Sequence, residues 1–164
     1  MSKIESYTEE LTKELMSFSV GENDFGYVYP QGNVHDISKL NELLCDAGGK
    51  PKECNLYDFS LGGTGKAKPE FIITFKHDTS TIIVIECKKS AKNHKSDLLN
   101  KPNGFAVDGA VYYAKFLASE YNVIAIGVSG TEKDKAIVDV YYFPKNQDKP
   151  ILQKKLHNIF LTPD

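Results

Sequence analysis

The chain has 164 residues, 41% hydrophobic and 26% charged, the usage of a globular domain with a real core, which sets one domain as the expectation and excludes a fibrous or disordered chain. No apolar run approaches the roughly 20 residues needed to cross a bilayer, and the opening Met1-Ser2-Lys3-Ile4-Glu5 lacks the layout of a signal peptide, so a soluble, cytoplasmic chain with no membrane partner is expected. The formal net charge of -2 argues against a protein that coats nucleic acid non-specifically, and the odd set Cys45, Cys54 and Cys87 suggests neither a disulfide framework nor a zinc site.

In chain order, Ile4, Tyr7, Leu11, Leu15 and Phe18 recur at helical spacing and predict a first helix. Residues 19–35 read as loop with a short strand at Tyr27–Tyr29, and Asp36 or Ser38 is placed to cap a second helix that runs through Cys45 and ends at Gly48-Gly49. The stretch GGTGKAKPEF, residues 62–71, suggests a phosphate-binding loop. It lacks the pattern: Ser60 stands where the first glycine belongs, Ala67 replaces the metal-binding hydroxyl, and a strand follows instead of a helix.

From Phe71 the texture is β. Phe71–Phe75, a polar turn at 77–80 and Thr81–Ile85 predict a hairpin. A polar, lysine-bearing stretch, 89–103, precedes a helix from about Phe105 to Glu120, with Val107, Val111, Ala114 and Leu117 on one face; of Tyr112 and Tyr113, one is expected in the core and the other exposed. Residues 123–128 form a wholly apolar strand, Ala136–Phe143 another that ends at Pro144, and 151–160 a short terminal helix. The long helical crossover allows strand 123–128 to run parallel to 82–87. An α/β fold follows, with a mixed central sheet and helices on both faces.

The average charge hides a patch. Lys66, Lys68, Lys76, Lys88, Lys89, Lys92, Lys95 and Lys101 face only Glu70, Asp78, Glu86 and Asp97 between residues 62 and 101, and the chain contains no arginine. Such a domain suits phosphates better than base edges, which arginine reads most often. His77 and His94, isolated in polar loops, are expected to be solvated.

Chemistry concentrates where the aliphatic run 82–85 stops at Glu86-Cys87-Lys88. Strand alternation puts Glu86 and Lys88 on one side and Cys87 on the other, toward the core. The hairpin brings Glu70, directly after Pro69, beside Glu86, provided that paired positions sum to an even number and the turn holds an odd number of residues or a bulge. Paired carboxylates are hard oxygen ligands for magnesium or manganese, and a nearby lysine can orient the water that such an ion activates.

Pro69-Glu70 followed by Glu86-Cys87-Lys88, with no other acid-x-Lys in the chain, resembles the PD-(D/E)xK nucleases of the restriction-endonuclease-like fold. The wording GTGKAKPEFIITF, IIVIECKKS and AVDGAVYYAKFLA looks most like the nuclease domains at the N-termini of type I restriction motor subunits and of fused restriction-methylase enzymes. The resemblance covers about residues 62–130. It implies a single nuclease-like domain over 1–164, with its core at 62–143, as one piece of a larger restriction-modification system. The implied activity is Mg2+- or Mn2+-dependent hydrolysis of DNA phosphodiesters.

In this reading Glu70, Glu86 and the Cys87 main-chain carbonyl hold the metal, and Lys88 positions the attacking water. Lys66, Lys68, Lys89 and Lys92 meet DNA, while Tyr113, Glu10 and Glu14 are accessory candidates. The implied partners are DNA and methylase, specificity or motor modules in the same or a partner chain; a homodimer stays open. Two positions depart from the family: Glu70 replaces Asp, and Gly109 stands where many relatives carry the Gln of a Gln-x-x-x-Tyr pattern that ends at Tyr113. Two other readings stay open, a catalytically inactive DNA-binding or assembly module of the same fold and a domain in which Glu70, Glu86 and Lys88 form only surface ion pairs.

Overall fold

The computed structural model describes residues 3–34, 36–54, 65–146 and 151–152. The elements are α1 (Lys3–Met16), β1 (Gly21–Glu22), β2 (Gly26–Pro30), α2 (Ser38–Ala47), β3 (Phe71–Phe75), β4 (Thr81–Lys88), a 3-10 turn at Ala91–Asn93, α3 (Ala106–Leu117), β5 (Asn122–Ser129), β6 (Ile137–Phe143) and β7 (Ile151–Leu152). The strands form one mixed sheet in chain order. Among the described strands only β4 and β5 run parallel, because α3 supplies the crossover; the other neighbours are antiparallel.

Alternation along β4 decides which helix meets which face. Ile82 and Val84, with Ile72, Val123 and Ala125, pack under α2 and α3 against Leu40, Leu44, Val107 and Val111. Ile83, Ile85 and Cys87, with Phe71, Ile73 and Ile126, form the opposite face with Phe18. Helix α1 crosses that second face: Thr12 Oγ1 lies 3.4 Å from Cys87 Sγ, and Thr8 Oγ1 donates to the Gly130 carbonyl at 2.9 Å. A strand buried on both faces gains about 1.5–3 kcal/mol for each large aliphatic side chain, so β4 anchors the sheet.

Helix α3 is packed on nearly every side. Its first turn presses on β5 at Gly127, where an added Cβ would meet Val107 N and Cγ2 at 2.7 Å. It is sandwiched between the sheet and α2, so both Tyr112 and Tyr113 are buried, and neither faces solvent as the sequence suggested. The Tyr112 hydroxyl donates to the Ala47 carbonyl at 2.6 Å and ties the two helices together.

Other sequence expectations shift as well. Helix α2 begins after Ile37 without a side-chain cap; Asp36 instead accepts from the Tyr29 hydroxyl at 3.1 Å, and Gly48 ends the helix at φ 67°. The strand expected at Tyr27–Tyr29 is longer and pairs with both β1 and β3. Residues 151–152 pair with β6 as a strand, and 153–160, expected as helix, lie outside the described residues. No helix among the described residues is long and apolar enough to cross a membrane.

Candidate functional site

The register of the hairpin decides the site. Phe71 pairs with Ile85 and Thr74 with Ile82, so Glu70 stands opposite Glu86 and the five-residue turn 76–80 is odd, as the shared face requires. The Glu70 backbone N–H donates to Glu86 Oε1 at 3.1 Å. Glu86 is 1% exposed at the end of a buried strand. Glu70, just outside β3, is half-buried and receives a hydrogen bond from Gln31 Nε2 on its Oε2 at 2.7 Å.

The second Glu86 oxygen has a partner that the sequence did not announce. Lys50, two residues after the glycine that ends α2, forms an ion pair with Glu86 Oε2. Its ammonium lies 5.8 Å from the centroid of the Tyr113 ring. A Cβ at Gly109 would come within 3.2 Å of Lys50 Cδ, 3.3 Å of Glu86 Cγ and 3.0 Å of the Pro102 carbonyl. The glycine thus leaves the room through which the Lys50 stem reaches the carboxylate.

A third carboxylate also comes from outside the motif. Helix α1 contributes Glu9, which bonds to and repels Glu70, and Glu9 Oε1 is buried with no hydrogen-bond partner among the described residues. Glu10 and Glu14, the acids singled out in the sequence, point elsewhere: Glu10 pairs with Lys13 and Glu14 with Lys133 at the surface. The reason is the rotation of α1. Tyr7 is 61% exposed while Thr8, Leu11 and Thr12 are buried, so the packed stripe includes threonines and lies one residue round from the apolar one.

Crowding three carboxyl groups out of water has a clear electrostatic result. Burial first, then the hydrogen bond and charge of Glu9, push Glu70 up to about 8, against the pull of Lys50 and Gln31. Glu86 is also raised, chiefly by burial, with Lys50 opposing and Glu70 adding to the shift. Burial and then the Glu86 charge raise the Tyr113 hydroxyl, which shares a hydrogen bond with the Lys68 backbone.

The remaining candidates fall into two groups. Lys88 shares the Glu86 face by alternation, is half-buried and forms no ion pair among the described residues, while its carbonyl accepts Gly130 N–H at 3.0 Å. The Cys87 thiol turns to the opposite face, as expected, and burial pushes it up. Lys68, Lys89 and Lys92 are exposed near the same end of the hairpin, whereas half-buried Lys66 donates to the Gly32 carbonyl at 3.0 Å and is tied to the scaffold. Gly62 to Thr64 of the glycine-rich stretch lie outside the described residues.

His94 is not solvated. Its Nδ1 meets Ser129 Oγ and its Nε2 meets Asp139 Oδ2, both at 2.8 Å, and burial lowers its pKa with Asp139 opposing. Beside it Asp108, fully buried, accepts from Ser96 N at 3.0 Å, from the Ser96 hydroxyl and from Lys101 N at 2.9 Å. Ser129 is fully buried, so this array fixes the lysine-bearing loop and presents no nucleophile.

The donor set around Glu70 and Glu86 is all oxygen and short of positive charge, which fits a hard divalent cation. Among the described residues no three His, Cys, Asp or Glu side chains are grouped to hold an ion. No protein-family model, curated protein or solved structure matches the chain.

Proposed function

We propose that this chain is a metal-dependent DNA endonuclease domain of the restriction-endonuclease-like fold, acting in restriction-modification. The observation that carries the reading is the register that sets Glu70 directly opposite Glu86, with the Glu70 N–H on Glu86 Oε1. Pro-Glu and Glu-x-Lys, 16 residues apart in sequence, thereby meet at one end of the sheet. Raised carboxyl pKa values, and a Glu9 oxygen with no hydrogen-bond partner among the described residues, add that the carboxyl groups here outnumber the positive charge that Lys50 brings.

Glu70 and Glu86 would hold Mg2+ or Mn2+ together with the Cys87 carbonyl, the small number of protein ligands that magnesium usually takes. When bound, the ion supplies polarisation of the phosphodiester and lowers the pKa of a water. Lys88, on the Glu86 face and free of ion pairs among the described residues, orients that water and offsets developing charge. The exposed Lys68, Lys89 and Lys92 attract the phosphate backbone without reading bases. Target choice then falls to another module.

A second reading, a catalytically inactive DNA-binding or assembly module of the same fold, is favoured by one observation: Lys50 already neutralises Glu86. Calorimetric titration of Mn2+ into the wild type, Glu70→Ala and Glu86→Ala separates the two. The nuclease reading expects binding by the wild type, its loss in both variants, and Mn2+-dependent cleavage of a DNA duplex by the wild type alone. DNA binding with no cleavage and no metal uptake would move the assignment to the inactive module.

A further inference from the structure

Among the described residues, Lys50 is the one ammonium in direct contact with Glu86, and it approaches from the α2–β3 connection, outside the hairpin that carries the acid-x-Lys. Its side chain is 15% exposed, that of Glu86 1%. The lodging is shaped for it: Gly109 leaves space along the stem, and the Tyr113 ring lies beneath the ammonium. Glu86 Oε1 is already engaged by the Glu70 N–H, so Lys50 takes the oxygen that remains.

Two electrostatic facts bear on what this contact does. A buried carboxylate without a counter-charge is strongly destabilising, so Lys50 supports the fold while no other cation is present. A divalent ion drawn to the same oxygen would meet that ammonium within a few ångströms in a region of low effective dielectric, where like charges repel strongly. Sharing Glu86 Oε2 would therefore set the two cations against each other.

We propose that Lys50 is a resident counter-ion that a divalent metal must displace from Glu86, and that Gly109 is the residue that makes this lodging possible. Lys50 is therefore a positioning residue that sets metal affinity, distinct from Lys88 in the motif. The inference rests on the metal-binding reading of Glu70 and Glu86.

The test uses the full chain with Mn2+ alone. Calorimetry compares the wild type with Lys50→Met, which keeps the stem and deletes the charge; the expected result is Mn2+ binding tighter by about tenfold, equivalent to about 1.4 kcal/mol. In parallel, acylation of lysines by acetic anhydride is read by mass spectrometry. Lys50 should label slowly in the metal-free wild type and severalfold faster with saturating Mn2+, while Lys89 and Lys92 do not change.

Should Lys50→Met fail to fold, Gly109→Ala replaces it. Its methyl group crowds the stem, so Lys50 should label faster without metal and Mn2+ should bind more tightly. Wild-type binding with a variant of equal or weaker affinity, or Lys50 labelling that Mn2+ leaves unchanged or slows, overturns the displacement alone. If neither wild type nor variant takes up Mn2+, the metal-site reading falls with it; a variant that binds where the wild type does not would be the strongest support for displacement.

Discussion

Around Asp108 and His94 buried polar groups are matched with partners, whereas around Glu70 and Glu86 buried charge outruns what the described residues supply. Asp108 accepts three hydrogen bonds and His94 uses both ring nitrogens. In the carboxylate cluster Glu9 Oε1 has no partner among the described residues, and the Glu70 and Glu86 pKa values are driven up. The two clusters share one row of the sheet: Glu86 pairs with Gly127, and Gly127 with Asp139. A satisfied network fixes a structure, while an unsatisfied one stores a demand that a ligand can meet.

The contrast breaks most visibly at Asp108. Replacing it with Ala orphans the buried Ser96 N–H and the part-buried Lys101 N–H and should cost about 2–4 kcal/mol in urea unfolding. Between the clusters, Gly127→Ala sets a methyl group against Val107 and lifts the start of α3; a loss of about 1–3 kcal/mol is expected from the same measurement.

The smallest effect sharpens the comparison through pH. The folded pKa of Glu70, about 8, lies above the ordinary 4.5, so the folded protein binds the extra proton and loses stability as pH rises from the unfolded value through the folded one. Glu70→Gln removes this loss. In chelator-containing buffer the variant should match the wild type near pH 4 and exceed it by about 1–2 kcal/mol at pH 9, less than full linkage because Glu70 is only half-buried. An unchanged difference across that range would mean that Glu70 feels no such crowding.

The hairpin half of the site was legible in the sequence because strand alternation is rigid: once Pro69-Glu70 and Glu86-x-Lys88 flank one turn, parity decides whether the acids meet. The other half was not. Glu9 was hidden because Thr8 and Thr12, polar by composition, pack inward and turn α1 by one position. Lys50 has no local signature, since its partner is 36 residues away and the space it uses is marked only by a missing side chain at Gly109. The tyrosine pair was misjudged because α3 is buried on nearly every side where amphipathic spacing implied one wet face, and His94 because its polar loop folds onto Ser129 and Asp139 of the sheet.

The long sequence separations around Glu70 and Glu86 bear on how this protein can be divided. Gln31 reaches Glu70 across 39 residues and Lys50 reaches Glu86 across 36, while Glu9 arrives from the first helix and Tyr113 from the third. A fragment limited to residues 62–143 would carry every letter of the motif, and Tyr113, yet shed Glu9, Gln31 and Lys50. Grafting the hairpin alone would therefore transfer two acids without their electrostatic setting.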